Sequence, residues 1–125
     1  MRRRPVAVLV GLALSARVFA DGLAVVGATW IRASDPPLED SVLVVEHDRI
    51  KAIGTRAEVP IPKGVVIVDG RGRYVAPAEG SAALAVGAAA DFVVLDRDPR
   101  RGKSAYARPY RIVKGGRLVP ARPEP

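Results

Sequence analysis

From residue 21 onward the apolar residues of this chain fall in short runs, each closed by glycine, proline or aspartate, the longest being Leu23–Ile31 (LAVVGATWI). Runs of that length, rich in Val and Ile and punctuated by turn formers, predict β-strands and leave no room for long helices. The chain carries 12 glycines and 11 prolines, which supply those turns. Only one Trp, three Tyr and two Phe are present, so aliphatic side chains must build the core. A hydrophobic fraction of 49% and a charged fraction of 26% are those of a folded domain. A length of 125 residues sets the limit at one such domain.

The first 20 residues have a different character. Arg2-Arg3-Arg4 precede an apolar run from Pro5 to Ala16, and Val18-Phe19-Ala20 places small residues at both positions a signal peptidase inspects. Residues 1–20 therefore read as a secretory signal peptide, with residues 21–125 as the mature domain. Arg17 closes the run before it is long enough to span a bilayer. The expected destination is the periplasm or the cell exterior, reached by Sec-type export. With no cysteine, neither a lipid anchor on Cys nor a disulfide is available. The formal charge of +7 also changes meaning. Four of the 20 basic residues lie in that leader, so the mature part holds 16 basic against 13 acidic, only +3.

The mature chain divides into about eight strands. Leu23–Ile31 carries Gly27 at a predicted bulge, and residues 32–40 form a loop around Ser34-Asp35-Pro36-Pro37. Residues 41–46 and 49–53 flank His47-Asp48 as a hairpin, because both types tolerate positive φ. Val65–Val68 reads as a buried strand, Tyr74–Ala76 as a shorter one, and Ala82–Val86 as long enough for one helical turn. Asp91–Asp96 (DFVVLD) is the clearest central strand, and Gly115-Gly116 joins a second hairpin. The prediction is an all-β fold, a small sandwich or barrel-like pair of sheets.

The inventory of reactive groups is short. His47 is the only histidine, and a zinc site needs at least three protein ligands, so a solvated turn residue is the better reading for it and for Asp48. Asp35, Glu39 and Asp40 share one loop, and Asp96 and Asp98 share another. Neither spacing matches a calcium loop, and loop charges or turn caps account for them, as for Asp69 and Asp91. No serine lies in a Gly-x-Ser-x-Gly elbow. No glycine pair opens a helix as a phosphate loop would. Catalytic, cofactor-binding and metal-binding residues are thus expected to be none, and no cofactor is implied. Residues 97–125 hold nine basic and two acidic residues, net +7, whereas 21–96 hold seven and eleven, net −4. Such a patch suits anionic lipid, polysaccharide or nucleic acid, the last least of all for an exported chain. An exposed edge hairpin explains the Tyr106, Arg108, Tyr110 and Arg111 pattern more simply.

Two stretches resemble the two ends of metal-dependent amidohydrolases. Arg49–Gly54 (RIKAIG), Val65–Asp69 and Gly70–Pro77 (GRGRYVAP) are similar to that family's opening. Gly80-Ser81, Gly87, Ala90–Asp96 (ADFVVLD), Asp98-Pro99 and Ile112–Val119 (IVKGGRLV) are similar to its closing segment. The departures are His47-Asp48 for an Asp-Gly turn and Ala88 for the lysine after Gly87. The resemblance implies a small composite β-sandwich built from both ends, beside a TIM-like barrel that carries the metal ligands. Here Ala78-Glu79-Gly80 runs from one segment into the other, so the resemblance implies a chain without that barrel and not an enzyme by itself. A face the barrel once covered would expose apolar residues. It would offer a contact for a second copy of the chain or for a separate barrel-bearing partner.

Overall fold

A computed structural model describes residues 22–120. The proposed leader, residues 1–20, and the end of the tail lie outside the described residues. Eight strands follow one another: β1 (Gly22–Trp30), β2 (Leu38–Glu46), β3 (Arg49–Thr55), β4 (Val66–Asp69), β5 (Tyr74–Pro77), β6 (Phe92–Leu95), β7 (Arg111–Lys114) and β8 (Arg117–Leu118). Two 3₁₀ turns, Pro99–Arg101 and Lys103–Tyr106, are the helical elements among the described residues. The fold is all-β, as the runs predict.

The strands belong to one sheet of order β3-β2-β1-β5-β6-β7-β8, with β4 beside the first half of β1. β4 and β5 both run parallel to β1, at Leu23–Val26 and Thr29–Trp30 respectively. The other pairings are antiparallel. The sheet curls until its ends meet. Residues 87–90 stitch them, through Gly87 N–H to Ile50 O at 2.8 Å, Ala90 N–H to Asp48 O at 2.9 Å and Gly116 N–H to Ala90 O at 3.1 Å.

Inside the curl lies the main core. Strict two-residue alternation sends Leu23 and Val25, Leu43 and Val45, and Phe92 and Val94 into it, joined by Ile50, Val68, Val75, Leu84 and Val113. The intervening residues are also buried, on the outer face. Ala24, Val42 and Val44 pack under Val59 of the 56–65 connector. Val93 and Leu95 pack with Ala76 under Ala105 of the second 3₁₀ turn. This double burial explains why the central strands read as continuous apolar runs instead of alternating ones.

Some sequence expectations shift. β2 begins at Leu38, inside the predicted loop, because Leu38 pairs with Trp30 across the bulge at Gly27. That bulge is where expected, with φ of +92° at Gly27 and a register break between Val26 and Ala28. Ser41 is buried there and donates its hydroxyl to Ala28 O at 2.7 Å. The strand predicted as buried at 65–68 is an edge: Val66 is 46% and Ile67 54% exposed, and Val68 alone is buried within β4. A lone strand flanking β1 has one neighbour, so its outer face lacks a cover. No helical turn forms over 82–86, where Leu84 instead anchors an extended loop into the core.

Candidate functional site

His47 occupies the β2–β3 turn with φ of +58°. It is exposed, and beside it the backbone of Gly116 from the other hairpin closes in so far that a Cβ there would lie 1.8 Å from His47 O. The two hairpin turns therefore pack tip to tip. They form one wall of a groove of about 340 Å³ whose other wall is Leu23 and Val66. The groove carries one imidazole and the Arg117 side chain but no carboxylate. Asp48 turns away to Arg49 at 3.8 Å. Nothing there pairs with His47 to move a proton.

The carboxylates separate instead of converging. Asp40 accepts two hydrogen bonds from the Arg56 guanidinium, at 2.6 and 3.2 Å, which hold its carboxyl below the usual range. Asp35 and Glu39 are exposed on the loop and strand before it. Asp69 receives both the Arg71 guanidinium and the Arg71 backbone N–H, and is held down to about 2. Asp96 accepts from Arg73 Nε at 3.0 Å. Asp98 caps the first 3₁₀ turn, accepting from the Arg100 guanidinium and from its backbone N–H at 2.9 Å, and its carboxyl is likewise lowered. Asp91 accepts the Gly115 N–H at 2.7 Å and so braces the second hairpin. Apart from Asp35 and Glu39, each of these serves a turn or an ion pair. Among the described residues no three His, Cys, Asp or Glu side chains gather to hold a metal ion.

The Tyr–Arg interleaving of the C-terminal segment is mostly internal bracing. Tyr110 lies between two guanidinium groups, Arg73 at 3.5 Å and Arg111 at 4.3 Å from the ring centre. Tyr106 packs on the outer core, and burial raises its phenol above the ordinary value. Beyond them opens a cleft of about 540 Å³ between the end of β6 and the second 3₁₀ turn, lined by Asp96, Arg97, Ser104, Ala105, Ala107 and Arg108. Sequence reading registered the charge excess here but not the cleft. Which arginines stay free depends on which carboxylates fold against them.

No family model matches the chain, and no curated protein matches it. Solved structures resemble it over less than half of its length. Molinate hydrolase matches at 22% identity over 46% of this chain and 13% of its own, with a TM-score of 0.42. Phenylurea hydrolase B matches at 30% over 45% and 12%, also at 0.42. A dihydropyrimidinase from Brevibacillus agri matches at 20% over 45% and 11%, at 0.37. The chain thus spans a small fraction of the length of each.

Proposed function

We propose that this chain is the small β domain of an amidohydrolase-type protein standing without its catalytic barrel, exported by a leader at residues 1–20 and not hydrolytic by itself. One observation carries the reading. The segment that resembles the family's opening ends in β5, and the first strand of the segment that resembles its closing, which starts at Gly80, is β6. These two strands are antiparallel neighbours, with Tyr74 opposite Leu95 and Pro77 opposite Phe92. The ends that a barrel would separate in sequence are adjoining in the sheet, and the connection between them, residues 78–91, is an extended loop.

The chemistry of the side chains supports the non-hydrolytic part. A hydrolase of this type needs a metal-activated water, which takes several neutral imidazoles and carboxylates aimed at one point. His47 faces no such set, and Asp40, Asp69, Asp91, Asp96 and Asp98 are engaged by arginines or backbone N–H groups.

The test uses the protein recovered from the periplasm or medium of its native host, whose first residue should be Asp21. Assayed with added Zn²⁺ against simple amides, lactams and cyclic imides, it should give no turnover above metal alone. Saturable hydrolysis would refute the reading.

A further inference from the structure

The basic C-terminal segment has a feature that the β-domain reading leaves unused. Two of its cations are spent within the fold: Arg100 on Asp98, and Arg111 on the Tyr110 ring and carbonyl. Arg97 and Arg108 are not. Both line the 540 Å³ cleft, and neither takes part in any of the ion pairs among the described residues. The one carboxylate on the wall, Asp96, already accepts from Arg73. Arg73 is itself only a quarter exposed and is held further by Asp69 O at 3.1 Å. That pair is neutral as a unit, so the cleft presents two uncompensated positive charges and the exposed Ser104 hydroxyl.

We propose that this cleft binds a tetrahedral oxyanion, a phosphate or sulfate group, held between the Arg97 and Arg108 guanidinium groups with Ser104 Oγ as a neutral donor. Planar guanidinium forks match the paired oxygens of such a group, and two forks match its multiple charge better than a single carboxylate would. The cleft lies within the range of small-ligand sites and exceeds what one phosphate fills, leaving room for the remainder of an ester. Exposed Arg101 and Lys103 on the neighbouring turns raise the local concentration of anions without adding contacts. The phosphate can belong to a soluble ester or to a lipid headgroup.

Calorimetric titration of the purified chain with inorganic pyrophosphate at low salt tests the site. Arg97→Ala and Arg108→Ala should each weaken binding about tenfold, the loss of one charge-assisted contact. Arg108→Lys, which keeps the charge and loses the fork, should fall between. Lys114→Ala, at the far end of β7, should change it less than about twofold, as a remote charge does. All of these side chains are exposed, so thermal melts should match the parent and separate lost binding from lost fold. Equal weakening by Lys114→Ala, or no saturable binding at all, overturns the site in favour of diffuse attraction.

Sedimentation with phosphatidylcholine vesicles, with and without phosphatidic acid, distinguishes the sources. Retention that is specific to phosphatidic acid and lost in the two alanine variants supports the site with a lipid headgroup in it. Pyrophosphate binding without retention supports it with a soluble ester. Retention insensitive to both arginines overturns the lipid version.

Discussion

At the scale of single residues, the two hairpin glycines look alike in sequence and differ sharply in space. Gly115 has φ of +59° with nothing within 4 Å of a Cβ, whereas Gly116, at +81°, abuts His47 O. Gly115→Ala should therefore cost about 1 kcal/mol, the left-handed penalty alone. Gly116→Ala should cost about 3 kcal/mol or more, because backbone cannot yield as a side chain does. Urea denaturation of the two variants checks the difference. The aspartates make a second prediction at this scale. Asp69 falls from 3.8 to about 2 through Arg71, and Asp40 and Asp98 are lowered by their arginines. A folded-state value below the unfolded one stabilises above the unfolded value and ceases to do so as pH falls through the folded one. Melting temperature should therefore drop between about pH 4 and pH 2, and Asp69→Asn should flatten that drop. Because Asp40 and Asp69 are exposed, their share of the effect should be modest and reduced by salt.

Among the elements, β4 and β6 show how far an apolar run of four can mislead. Both read as buried strands. β6 has neighbours on both sides and cores on both faces, so all four residues are buried. β4 has β1 alone, and Val66 and Ile67 face outward. Ile67→Lys should therefore alter stability by no more than about 0.5 kcal/mol. Phe92→Ala, which empties the centre of the main core, should cost about 3–5 kcal/mol. A strand edge with exposed apolar residues also invites pairing with other chains. Ile67→Lys should accordingly reduce any self-association seen by analytical ultracentrifugation, and an unchanged profile would show that β4 takes no part in it.

For the molecule as a whole, the connection across residues 78–91 is the point of greatest tolerance. Ala82 and Ala83 are exposed, while Leu84 and Ala90 anchor the loop's later part in the core. Lengthening a closed loop costs only a logarithmic entropy term. Inserting about 20 Gly/Ser residues between Ala82 and Ala83 should thus lower stability by about 1 kcal/mol, with one cooperative transition retained by far-UV circular dichroism. The same insertion between Gly115 and Gly116 should disrupt the fold, because it separates the turns that close the sheet. Tolerance within this connection is what the proposed origin requires, since the resemblance places a barrel's entry a few residues earlier, between Pro77 and Gly80.

The all-β class, the bulge at Gly27, both hairpin turns and the central place of Phe92–Leu95 were legible in the sequence, because each rests on local backbone preference or on the period of apolar residues. What tertiary structure alone decided was partnership. It made β4 an edge, extended β2 back to Leu38, and kept 82–86 from coiling by drawing Leu84 into the core. It also spent Arg73 and Arg100 on aspartates while leaving Arg97 and Arg108 outside the ion pairs among the described residues. Local sequence sets what each residue tolerates; which residue it meets depends on how a curled sheet brings distant segments together.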